Sequence, residues 1–179
     1  MDIFSHALWA GIAGRAWNQR EDKRQPWGEK VNVYWMMFWG AFPDLFAFSI
    51  SFAWSIYHRI LGDIPVNFGP PRVESGPSGG LPMMDLAHQL YQYSHSLIVF
   101  GLVFGLVWAF RKRPPLMILG WLLHIICDIP THTHAFFPTP LFWPISSVTF
   151  SGFSWGQPWF LFLDVGSLLA VFLWLRRKK

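Results

Sequence analysis

Apolar residues fall in five blocks along the chain, separated by charged or Pro/Gly-rich stretches. The first, roughly Ile3 to Trp17, is helical in pattern but short for a membrane crossing, which needs about 20 residues. The second, Val31 to Leu61, is long enough to span with residues to spare, and Pro43 inside it predicts a kink or a break. The third runs from Leu86 to Phe110 and the fourth from Leu116 to Ile129, where Pro130 predicts a stop. The fifth runs from Trp159 to Leu175. Residues 62–86 contain PVNFGPPRVESGPSGGLP and read as a flexible outer loop. Residues 135–157 are aromatic and uncharged, as suits a connection lying at a membrane interface. The pattern predicts one membrane-embedded domain over residues 1–179. Its expected fold is an all-α integral membrane protein, a helical bundle of about four transmembrane helices plus a short N-terminal helix.

Composition strengthens this reading. The 179 residues are 53% hydrophobic, 19% aromatic and 13% charged, about half the charged share of an average soluble domain. Aromatic rings collect where a membrane meets water, so the lipid bilayer is the expected partner. The net charge of +4 matters less than its placement. Arg15, Arg20, Lys23, Arg24 and Lys30 form one basic stretch, Arg111 to Arg113 a second, and Arg176 to Lys179 a third. All three flank apolar blocks in the alternation that the positive-inside rule predicts. This places the C-terminus in the cytoplasm and the protein in a prokaryotic inner membrane. Topology accounts for the basic clusters, so no nucleic-acid partner is expected. The lone Cys127 excludes an intramolecular disulfide. The N-terminus lacks a basic region, and His6 and Arg15 interrupt its apolar stretch, so it does not read as a signal peptide.

Against this background, six ionisable residues stand inside apolar blocks: His6, Asp44, His95, His124, Asp128 and Asp164. Such groups are costly in a membrane and face a partner or a cavity. Counting about 1.5 Å per residue from each block's basic end puts His6 and His124 roughly 14 Å up and Asp44 and Asp164 roughly 18–20 Å up. Asp128 comes out at roughly 20 Å and His95 at roughly 24 Å. Groups from all five blocks thus share a band about 10 Å thick. His124 and Asp128 are four apart and share a helix face. An imidazole and a carboxylate so placed suit a divalent metal ion, with zinc the leading candidate and manganese or iron the alternatives. The expected ligands are His6, Asp44, His95, His124 and Asp128. Asp164, His134 and Thr131 are candidates for an additional ligand or for a residue that orients one. His132 and His134 are placed at the mouth of the site. Each residue taken alone also has a plainer reading: a packing pair for His124 and Asp128, a helix cap for Asp44, and serine neighbours satisfying His95.

At these residues the chain resembles the LexA-regulated, inner-membrane-associated, membrane-bound metal-dependent hydrolases of bacteria and archaea. FSHALWAG carries His6, GAFPDL carries Asp44, YSHSL carries His95, and LLHIICDIPT carries His124, Asp128 and Thr131. PLFWP at residues 140–144 matches a later element of the family, and Asp164 stands for its late aspartate. The motifs are short, but they occur in order over most of the chain. A more distant likeness is to zinc-dependent phospholipase C and its single-strand nuclease relatives, whose spacing Asp128 to His134 resembles. The resemblance implies a metal-dependent hydrolase acting on a phosphoester or a lipid-type substrate, such as a lipid or lipid-linked molecule. The chain departs from the family at Phe46 and Ala47, where an acid and a histidine are common. It departs again at Leu90, Tyr91 and Gln92, where His-Arg-Gly is common, so the implied ligand set is the core one without accessories. A metal- or proton-conducting transporter and a non-catalytic membrane scaffold are the other classes that buried His and Asp groups admit. The pattern leaves the oligomeric state open.

Overall fold

The computed structural model describes residues 1–20, 30–62 and 83–177, and all regular structure among them is helical. Residues 63–82, most of the expected outer loop, lie outside the described residues, as do 21–29 of the first polar connection. The helices are α1 (Ile3–Asn18), α2 (Val33–Leu61), α3 (Met84–Ser94), α4 (Leu97–Arg111), α5 (Leu119–Thr131) and α6 (Pro158–Arg177). A short 3-10 turn, Leu116–Ile118, leads into α5.

Two helices, α2 and α6, are long and apolar enough to cross a membrane, and the bent pair α3–α4 makes a third if counted as one span. This is fewer than the four expected. The fourth apolar block forms only the 16 residues Leu116–Thr131, short of the length a crossing needs. The third block is two helices bent by 56° rather than one rod. At this bend Ser96 adopts an extended conformation and its side chain accepts hydrogen bonds from the backbone N–H groups of Ile98 and Val99, starting α4 afresh. The carbonyl of Ser94, freed by the break, accepts from Trp121 Nε1, and the Leu97 N–H donates to the Leu141 carbonyl. A helix break inside a membrane is tolerated when protein groups satisfy its backbone in this way.

The prolines act less sharply than expected. Pro43 lies inside an unbroken 29-residue α2. It removes a single hydrogen bond, and close packing around its fully buried ring holds the helix on both sides. Pro130 sits within α5, which continues to Thr131 instead of ending at Ile129.

Helix α1 runs parallel to α6. Near one end Asp164 accepts hydrogen bonds from Ser5 Oγ and Trp9 Nε1, and near the other Arg15 stacks on Phe172 and Gln19 donates to the Leu175 carbonyl. Arg15 and Arg176, from two of the basic clusters, both lie over the Phe172 ring and so share one end of the bundle.

Glycines bring α1, α2 and α5 unusually close. A Cβ on Gly40 would sit 2.5 Å from Ala10 Cβ and 2.8 Å from the His6 carbonyl, and one on Gly120 would sit 2.4 Å from the Met36 carbonyl. The outer faces are apolar: Tyr34, Phe38, Ile50 and Phe52 on α2 and Phe162, Leu163 and Val165 on α6 are all exposed. Ionisable groups are buried in the centre instead. This distribution, greasy outside and polar within, suits a lipid surrounding.

Candidate metal centre

The site begins with α5. His124 and Asp128, one turn apart, both point inward and are buried. His124 Nδ1 lies 2.6 Å from the carbonyl oxygen of Gly40. A carbonyl only accepts, so Nδ1 carries the proton and Nε2 presents a lone pair. The contact depends on Gly40 and Gly120, whose missing side chains let α5 approach the α2 backbone.

His95 comes from the α3–α4 bend. Its Nδ1 faces the Tyr91 carbonyl at 3.2 Å and Ser94 Oγ at 2.9 Å, which fixes the same tautomer. The Tyr91 ring stacks on the His95 ring at 3.6 Å. A straight helix through residues 84–111 would not aim His95 this way, so the bend builds the site.

The two Nε2 atoms meet 3.0 Å apart. Asp44 Oδ1 is 3.6 Å from each, and Asp128 Oδ2 is 3.4 Å from His95 Nε2 and 3.2 Å from His124 Nε2. These four ligand atoms all lie within 4.8 Å of one another. A tetrahedral ion with bonds of about 2.0–2.2 Å sets its ligands roughly 3.3–3.6 Å apart, close to the spacing here. Two carboxylate oxygens and two imidazole nitrogens also match the donors that zinc, manganese and iron accept. The residues present thus fit a divalent ion.

His6 belongs to the same assembly but reaches it from another side. Its ring stacks on His124 at 3.6 Å, and its Nε2 lies 2.9 Å from the second oxygen of Asp128, Oδ1. Among the described residues, neither His6 ring nitrogen has a partner in hydrogen-bond geometry. His6, Asp44, His95, His124 and Asp128 therefore converge, and none is more than 5% exposed.

The other candidates separate. Asp164 is buried, but its two oxygens are taken by Ser5 and Trp9, so it holds α1 against α6 beside the cluster. Thr131 donates to the Cys127 carbonyl and accepts from the Met1 amino group at 3.2 Å. His134 lies outside the cluster: it is exposed, and its Nδ1 is 3.3 Å from Thr149 Oγ1.

His132, not His134, turns inward. It is buried, its Nδ1 donates to the Phe137 carbonyl at 2.8 Å, and its Nε2 lies 3.4 Å from Asp128 Oδ1. The four-residue step from Asp128 to His132 was the available signal, masked because Pro130 predicted that the helix had already ended. The hydroxyl of Tyr91 stands 3.0 Å from His132 Nδ1, and the Met1 amino group 2.8 Å from Asp128 Oδ1. The connection after α5 closes over this end: the N–H groups of Gly152, Phe153 and Trp155 donate to the carbonyls of His132, Pro130 and Thr131.

In comparison with known proteins, the family described as YdjM inner membrane protein matches residues 1–178. No curated protein and no solved structure matches the chain.

Proposed function

The chain belongs to the YdjM inner membrane protein family, and from that premise we propose that it is a membrane-embedded, metal-dependent hydrolase of phosphoester or lipid-type substrates. One observation carries the reading. His95 and His124 each have Nδ1 committed to a backbone carbonyl, and their Nε2 atoms converge on two buried carboxylates. Such an array is costly to bury without a cation at its centre.

When bound, a divalent ion polarises a phosphoryl or carbonyl oxygen and acidifies a water molecule. The chain's residues have distinct parts. His95 and His124 hold the ion, kept in their tautomers by Tyr91, Ser94 and Gly40. Asp128 closes the ligand set from α5. Asp44 would join that set from α2 through one oxygen, 3.6 Å from both imidazoles, and its second oxygen would take a proton from water. Asp164 has both oxygens engaged and takes no part in proton transfer. The connection over the α5 end exposes Phe136, Phe142 and Ile145, an apolar surface suited to acyl chains.

The test is elemental analysis of detergent-purified protein beside Asp128→Ala, followed by hydrolysis assays on phospholipids, lipid-linked phosphates and soluble phosphoesters. Bound metal and turnover in the wild type, both lost in the variant, are expected. A folded but metal-free wild type would overturn the metal reading. Bound metal without turnover of any of these classes would overturn the hydrolase reading and leave a metal-binding scaffold or a transporter.

A further inference from the structure

Helices α1 and α6 each carry an arginine in their last turn, at the same end of the bundle. The guanidinium carbons of Arg15 and Arg176 stand 5.3 and 5.7 Å from the centre of one ring, that of Phe172. Two charges of the same sign are thus within reach of one lipid head group. We propose that they hold the head-group phosphate of an anionic phospholipid, whose acyl chains lie along the exposed faces of α1 and α6. This surface is separate from the metal centre and does not rest on the metal reading.

Three observations support the site. Among the described residues, neither arginine is paired with a carboxylate. Asp2, which caps α1, and Asp164 on α6 lie about 18–20 Å of helix rise toward the other end. The two positive charges are therefore uncompensated, and a basic pocket between helices at a membrane surface selects anionic head groups. Second, the helix ends are fixed to each other. Gln19 Nε2 donates to the Leu175 carbonyl at 2.9 Å, so the two arginines are held side by side before any ligand arrives. Third, each arginine tops an exposed apolar stripe. Phe172, Leu169 and Val165 descend from Arg176 at helical spacing, as Leu8 and Phe4 descend from Arg15, and all five are exposed. From Phe4 to Arg15 is about 16 Å of rise, close to half of the roughly 30 Å hydrocarbon core, which is the depth that one acyl chain fills. A soluble anion would use the arginines and leave the stripes bare, whereas a phospholipid covers both.

The test uses the full chain, delipidated in a neutral detergent with chelator present, and reads lipid binding by native mass spectrometry. Phosphatidylglycerol should be held about tenfold more tightly than phosphatidylcholine, and inorganic phosphate in excess should not displace it. Arg15→Gln and Arg176→Gln should each weaken phosphatidylglycerol binding by about tenfold. Arg111→Gln, which removes the same charge from the last turn of α4, should change it by less than about twofold. Equal affinity for the two lipids, or equal losses in all three variants, would overturn the site. Displacement by inorganic phosphate would overturn the assignment to a lipid. Phosphatidylglycerol with a photoreactive diazirine on its acyl chain locates the lipid on the wild type, even where a variant fails to fold. Cross-links on α1 and α6 are expected, and cross-links confined to other helices would overturn the proposal.

Discussion

His95 Nε2 and His124 Nε2 lie 3.0 Å apart, and with both protons held on Nδ1 neither ring can donate to the other. Two lone pairs at that distance repel unless a cation, or an added proton, stands between them and the flanking Asp44 and Asp128. Metal binding at that point should therefore be visible as stability. In a thermal unfolding assay, Zn²⁺ at 100 times its dissociation constant is expected to stabilise the wild type by about 2.7 kcal/mol. A chelator should reverse the effect. His95→Ala and His124→Ala should abolish the metal-dependent gain, and a gain that survives in both would contradict the ligand assignment.

Protons compete for the same lone pairs. Imidazoles must be neutral at the binding nitrogen, so metal binding releases protons and weakens as pH falls through the range of about 8 to 5. The sign is fixed: lower pH supplies the competitor. Zn²⁺ titrations by calorimetry in buffers of different ionisation enthalpy should show proton release, together with lower affinity at about pH 5.5 than at about pH 7.5. Affinity independent of pH would place the ion on carboxylates alone.

Close helix approach is the precondition of this geometry, and it can be tested without touching a ligand. Gly40 supplies the carbonyl that orients His124, and a Cβ there would meet Ala10 Cβ at 2.5 Å and the His6 carbonyl at 2.8 Å. Gly40→Ala should force α1 away from α2, lowering stability by about 1–3 kcal/mol and weakening metal binding by displacing both His6 and His124. Gly101→Ala is the control, since a Cβ there meets nothing within 4 Å. Helix propensity favours Ala at both positions, so equal effects of the two substitutions would mean that the close approach at Gly40 does not hold this geometry.

What could be read from the chain and what could not divides along a physical line. Apolar blocks locate helices because burial and lipid both select for them, so α1, α2 and α6 begin and end within two residues of the expected limits. Helix rise alone grouped His6, Asp44, His95, His124, Asp128 and Asp164 at similar depth; the first five converge in the fold, while Asp164 is bonded to Ser5 and Trp9 beside them. The α3–α4 bend was hidden because the apolar run through Leu97–Phe110 continues the pattern, while the capping serine, Ser96, signals a new helix only once its backbone is extended. The number of spans was overcounted for the same reason: apolar sequence marks burial in protein as readily as contact with lipid. The choice between His132 and His134 turned on whether α5 passes Pro130, and only the packing of the following connection decides that.

Exposure makes the histidine pair a clean contrast. Among the described residues, His134 meets Thr149 Oγ1 through its ring and Ser151 Oγ through its backbone N–H, at 3.3 and 3.4 Å, and these contacts are exposed. His134→Ala should change stability by no more than about 0.5 kcal/mol and leave metal content unchanged. A loss of metal in this variant would restore His134 as a ligand.

Asp164 gives the sharpest separation between holding the site and forming it. Its carboxylate ties Ser5 and Trp9 of α1 to α6, and Ser5 immediately precedes His6. Asp164→Ala removes the hydrogen bond from Trp9 Nε1, while the single Ser5 hydroxyl proton, shared between Asp164 and Asp2, can still go to Asp2. The net loss of stability should therefore be that of one hydrogen bond to a carboxylate, about 1.5–3 kcal/mol. Metal content should stay near the wild-type value, since His95, His124, Asp44 and Asp128 rest on other helices. Asp128→Ala should do the reverse, emptying the centre. Elemental analysis and unfolding midpoints of the two variants, measured side by side, check both halves. A folded Asp164→Ala protein without metal would show that the late aspartate is itself a ligand, reached by a movement of α6 toward the cluster.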